Sequence, residues 1–236
     1  MINLLVVGIT IFMSYYSNTG AMNGNTMGSL SNRYDTLFTP AGYAFSIWGL
    51  IYLGLIGHAL SLFKLRNART VKSQAQWMAL ANLGNCAWVF LWLYEYTGLS
   101  TIAMAFILLA LVILGLKTNT DQTLTKWIVW PVSIYLGWIT VALAANVSAY
   151  LAKINFEFLL SDAQWATVLI FVATGIYVLI VRRVKLKLAA LVGTWAFVAI
   201  ASKQWDVEVM VQLSALLCAA CLLLLGTLSK PQSQKT

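Results

Sequence analysis

The chain has 236 residues, 61% hydrophobic and 9% charged. Soluble domains carry roughly 25% charged residues, and the few charges here gather in short breaks between long apolar runs, so the expected solvent is the bilayer. The formal net charge of +8 sits largely in Lys64–Lys72 and Arg182–Lys187, at the ends of apolar runs, where it meets lipid head groups. No basic segment is long enough to track phosphates, which excludes nucleic acid as a partner.

Apolar runs bounded by charge or turn residues predict eight spans, at 2–17, 41–63, 77–94, 100–116, 127–150, 164–181, 188–202 and 209–227. The first and seventh are the shortest. The first is not read as a signal peptide, because no Lys or Arg precedes it and no small-x-small cleavage site follows. The segment 18–39 that follows is rich in Asn, Gly, Ser and Thr. It is too long for a turn and is either a lid or a flexible connector. Low charge and three glycines favour the connector.

The loop after span two holds Lys64, Arg66, Arg69 and Lys72. The loop after span four holds Lys117 and Lys126 against Asp121, that after span six Arg182, Arg183, Lys185 and Lys187, and the tail Lys230 and Lys235. Between them come loops with Glu95, then Lys153 with Glu157 and Asp162, then Lys203 with Asp206 and Glu208. Basic loops alternate with neutral or acidic ones, which predicts a multi-pass protein of the inner or plasma membrane with both termini in the cytoplasm.

Trp77, Trp127, Trp130, Trp165 and Trp205 lie at span ends and need only the aromatic belt to explain them. Trp48, Trp88, Trp92, Trp138 and Trp195 lie within spans, where an indole N–H requires a partner. Span two opens on Pro40, expected in the first helical turn, and sets Phe45, Trp48 and Tyr52 on one face. Span three carries Asn82, Asn85, Trp88 and Trp92, and span five carries Tyr135, Trp138, Ala142 and Asn146 at i, i+3, i+7 and i+11. Convergent stripes would wall a cavity with flat rings and a few neutral hydrogen-bonding groups, suited to a large, flat, mostly apolar ligand. The same periodicity also fits aromatics that merely pack and amides that bond between helices.

Cys86, Cys218 and Cys221 lie inside apolar runs, where small residues packing between helices is the stronger reading than a metal or redox site. His58, the sole histidine, falls beside a basic interfacial loop and needs no function there; axial ligation of a haem is the weaker reading. No Asp, Glu, Lys or Arg lies clearly within a span, which weakens an ion-coupled transporter. No nucleophile–base pair or metal cluster is apparent, so an enzyme is the less favoured class.

The three stripes are similar to those of the TspO/translocator-protein (tryptophan-rich sensory protein) family. Pro40, Trp48 and Tyr52 match its second helix, Asn85 and Trp88 its third, and Tyr135, Leu136, Trp138, Ala142 and Asn146 its fifth. The family's Trp-Tyr pair and first proline, in the loop before Pro40, are replaced by Asn32-Arg33-Tyr34-Asp35. The resemblance implies an all-α polytopic membrane bundle with a TspO-like five-helix core at 1–155 and three extra helices at 156–236. It further implies a porphyrin-like or sterol-like ligand held by Trp48, Tyr52, Asn85, Trp88, Tyr135, Trp138, Ala142 and Asn146. No cofactor is implied beyond a porphyrin or haem as ligand. Expected partners are that hydrophobic small molecule and membrane lipid, with a homodimer left open. The alternative is a transporter that uses all eight helices and whose aromatic stripes are structural.

Overall fold

The computed structural model describes residues 2–65, 68–121, 124–156 and 160–228. Arg66, Glu157, Lys230 and Lys235, counted above among the loop charges, lie outside the described residues. The regular structure of the described residues is all helix, with no strand: α1 (Ile2–Tyr16), α2 (Met27–Arg33), α3 (Ile47–Leu62), α4 (Ala68–Leu93), α5 (Thr97–Thr120), α6 (Lys126–Lys153), α7 (Asp162–Leu179), α8 (Leu188–Lys203) and α9 (Val209–Leu228). A 3-10 turn, Gly42–Ser46, leads into α3, and a π turn, Ile180–Val184, extends α7.

Each expected span coincides with one helix, and α2 is added within 18–39. Gly42–Leu62, Thr97–Thr120, Lys126–Lys153, Asp162–Val184 and Val209–Leu228 are long and apolar enough to cross a membrane. The chain is therefore a polytopic helical bundle. Asn3–Tyr16 and Leu188–Lys203 are apolar but shorter, as their sequence lengths indicated. α4 is long, but its first turns carry Arg69 and Lys72, which places that end toward water rather than hydrocarbon.

Pro40 departs from expectation. It stands ahead of the 3-10 turn rather than in the first turn of an α-helix. Its neighbour Ala41 instead donates its backbone N–H to the Ala199 carbonyl of α8, at 3.1 Å. The start of this segment is thus held by a distant helix, a contact that periodicity along the chain does not encode.

α6 is apolar on every side, the pattern of a helix covered all round. Gly137 lets α8 approach its backbone: a Cβ there would lie 2.8 Å from Ala189 Cα and 2.9 Å from Ala189 O. Two hydrogen bonds, one from α7 and one from α8, hold the same stretch of α6. The Tyr177 hydroxyl of α7 donates to the Gly137 carbonyl at 2.6 Å, and the Ala189 N–H donates to Ser133 Oγ at 3.0 Å. In the apolar interior these bonds satisfy groups that lipid cannot. Buried side chains continue without a break from Val7 on α1 to Leu222 on α9, so α7–α9 share one core with the helices before them.

Gly137→Ala should therefore destabilise the fold by about 1–3 kcal/mol, because a methyl there meets backbone that cannot step aside. Gly8→Ala, with nothing within 4 Å of its Cβ position, should be neutral or slightly stabilising, since alanine favours helix. Thermal unfolding of the two variants in detergent makes the comparison.

Candidate ligand-binding cavity

A cavity of about 950 Å³ opens between α1, α3, α4 and α6 beneath segment 18–39. Its floor is aromatic because three helices each bring rings at helical spacing to one place. Trp48 is the centre. It stacks on Tyr52, with ring centroids 5.6 Å apart, and on Trp88, at 6.2 Å. Tyr135 meets it edge-on at 6.1 Å and Trp138 at 6.4 Å. Offset stacking and edge-on contact are the arrangements that ring quadrupoles favour.

Of the residues expected at the site, Trp48, Tyr52, Trp88, Trp138, Ala142 and Asn146 line this cavity. Asn85 and Tyr135 do not. Each lies one turn deeper, Asn85 before Trp88 and Tyr135 before Trp138, and both are fully buried behind the floor. Neither the Asn85 amide nor the Tyr135 hydroxyl has a hydrogen-bond partner among the described residues. A residue three positions from a lining residue shares its side of the helix but sits a turn along the axis, and sequence spacing does not tell how deep a cavity runs.

Asn146 has a structural role as well as a place on the wall. Its Oδ1 accepts the Trp88 indole N–H at 3.1 Å and the Ser100 hydroxyl at 3.0 Å, while its Nδ2 donates to the Ala142 carbonyl at 3.2 Å. One amide thereby joins α4, α5 and α6. Trp195 finds its required partner in the Ala44 carbonyl, at 3.3 Å. Tyr52 donates its hydroxyl to Ser14 of α1, which closes the floor on that side.

Segment 18–39 is a lid, not the flexible connector that its composition favoured. Met22, Leu30 and Phe38 plant it in the core. Thr26 and Ser29 form a reciprocal capping box that starts α2. The amides of Asn23 and Asn25 both donate to the Leu93 carbonyl at 3.1 Å. Gly20 and Gly24 serve tight turns at φ +76° and +67°, where a side chain would be strained. Asn and Gly here are the apparatus of order, through side-chain-to-backbone bonds.

Charges fasten the lid at two points. Arg33 pairs with Glu95 at 2.7 Å, and the Tyr34 hydroxyl donates to the same carboxylate. Lys153 donates to the Glu95 carbonyl and lies 5.6 Å over the Tyr34 ring. Asp35 pairs with Lys203 at the end of α8. The Tyr34 hydrogen bond, seconded by Arg33 and Lys153, holds the Glu95 carboxyl below its ordinary value. Burial and the bond to Glu95 raise the Tyr34 phenol.

The basic-loop reading placed His58 at the interface, but the structure buries it completely, with the Gln74 side chain beside its ring. It is six residues, roughly 9 Å of helix, from Tyr52 and does not line the cavity. Several wall residues escaped the sequence reading. Phe45 and Trp92 were visible in the stripes themselves. Ser14 and Ser17 of the α1 end had a polar signal at helical spacing. Met27, Tyr34 and Lys203 had none, since they arrive through the lid and α8.

These features define a polytopic helical membrane protein with an aromatic cavity under a folded lid. Residues 1–228 match a family model described as TSPO-like protein, and the chain belongs to that family. The match takes in α7–α9 as well as the helices around the cavity. No curated protein and no solved structure matches the chain.

Two outcomes are expected. Asn146→Leu strands the Trp88 N–H, while the Ser100 hydroxyl keeps the Thr97 carbonyl at 2.8 Å, and should cost about 1–3 kcal/mol of stability, read by thermal unfolding. The Glu95 tether should be at full strength above the carboxyl's ordinary value of 4.5 and fail as pH falls through the lowered one. With the native cysteines replaced by alanine, labelling of Ala145→Cys by 2,2′-dithiodipyridine, a reagent that still reacts with thiols in acid, should stay slow above 4.5 and quicken below the lowered value. Glu95→Gln should remove that pH dependence and label quickly throughout.

Proposed function

We propose that this protein binds a large, flat, mostly apolar molecule, porphyrin-like or sterol-like, in the cavity beneath its lid, and transports or senses it. The observation that carries this reading is the aromatic floor, where Trp48, Trp88 and Trp138 turn ring surface toward about 950 Å³ of space. That volume is at the upper end of the roughly 300–1,000 Å³ common for small-molecule sites. Ala142, Ala145 and Ala149 keep the α6 wall low, leaving room for fused rings beside the tryptophans. Asn146 and Ser14 offer neutral hydrogen-bonding atoms without the penalty of a buried charge.

In this reading the helices of 1–155 hold the ligand, and those of 156–236 brace α6 and the lid. The alternating loop charges support a lid on the outer face, with both termini in the cytoplasm.

Titration with protoporphyrin, followed by tryptophan emission, should give saturable quenching in the micromolar range. Ala145→Phe fills the cavity without removing a tryptophan and should weaken binding at least tenfold, whereas Trp138→Ala should weaken it by removing a stacking wall. Quenching that never saturates, or that Ala145→Phe leaves unchanged, would rule the reading out. Flux of protoporphyrin into proteoliposomes separates transport from sensing.

A further inference from the structure

We infer that Lys203 makes the cavity a site for amphipathic carboxylates, with the rings of the bound molecule on the tryptophan floor and its carboxylate at the Lys203 ammonium. This rests on the ligand-binding reading above and narrows its chemical class. Among the described residues that line the cavity, Lys203 is the sole charged side chain. It is the last residue of α8, one turn beyond Ala199, whose carbonyl holds Ala41 at the cavity wall. Its place at the mouth is therefore fixed by backbone contact.

Polarity is graded along the cavity. The α6 wall runs from Trp138 to Ala149, eleven residues or roughly 16 Å of helix at 1.5 Å per residue. At one end lie the rings of Trp48, Trp88 and Trp138. At the other lie Asn18, Ser31, Asn32 and Thr39, together with Lys203. A neutral hydrocarbon gains nothing at the second end, and an organic cation is repelled there. A molecule with one apolar and one anionic end satisfies both.

The ion pair with Asp35 does not occupy the cation fully. Asp35 lies outside the main cavity, in a smaller recess beside it that Lys203 also borders. Its side chain is 46% exposed, so water already weakens the pair. An ammonium has three donors and can take a second carboxylate from the cavity side. Asp35 then acts as a competitor for the same charge. The groups that face Lys203 are Asp35 from the lid and Asp162, which borders the recess from the start of α7.

The test uses 1-pyrenebutyric acid and its methyl ester, titrated into the full chain in non-ionic detergent and read by energy transfer from tryptophan to pyrene. The acid should bind about tenfold more tightly than the ester, the low end expected for a charged hydrogen bond. Lys203→Gln should reduce the acid to the affinity of the ester and leave the ester unchanged, while Lys203→Arg should keep the preference. Asp35→Asn breaks the same lid contact but frees the cation, so it should preserve or enlarge the preference. Equal affinity of acid and ester in the parent, or equal weakening of both by Lys203→Gln, would show that Lys203 only latches the lid and overturn the inference while leaving a ligand cavity. Failure of both probes to saturate would overturn the inference and the binding reading together.

Discussion

Gly137 brings the backbones of α6 and α8 into contact, and the position of the cavity follows from that contact. Successive helix residues point about 100° apart, so when Gly137 faces α8, Trp138 is turned onto another side of α6, against Trp48. Tyr177 and Ser133 reinforce the crossing with hydrogen bonds, which prevents α6 from rotating about its own axis. A rotated α6 would carry Trp138, Ala142 and Asn146 away from Trp48 and Trp88. The helices of 156–236 therefore shape the cavity from behind, in addition to bringing Lys203 to its mouth.

The second constraint is the need to satisfy polar groups away from water. Asn146 meets it by taking two donors and giving one, so a single amide stands in for several contacts among α4, α5 and α6. Asn85, Tyr135 and the Trp138 indole N–H are buried without a hydrogen-bond partner among the described residues, in contrast to Asn146. Rigid joints and unsatisfied groups thus lie within a few turns of one another.

The lid shows how little composition reveals about order. Asn, Gly, Ser and Thr are the residues of flexible linkers, and also the residues that bond side chain to backbone at turns and helix starts. Which use applies depends on what lies opposite. Here the Leu93 carbonyl, the Glu95 carboxylate and Lys203 wait on other elements. Leu30 and Phe38 looked unexceptional in an apolar chain, yet they are what seats the lid in the core.

Local pattern by itself determined the helices, because hydrophobic length and helical periodicity are properties of neighbours in the chain. The long helices, their order and the faces bearing Trp48, Trp88 and Trp138 were legible for that reason. Tertiary structure decided the rest. It placed Asn85 and Tyr135 behind the floor, buried His58, moved Pro40 out of the helical turn and folded 18–39 into a lid. Each depends on depth along a helix or on a contact between residues far apart in the chain. The bundle therefore sorts the aromatic stripes found in the sequence into wall and support, and it adds one cation that no stripe contained.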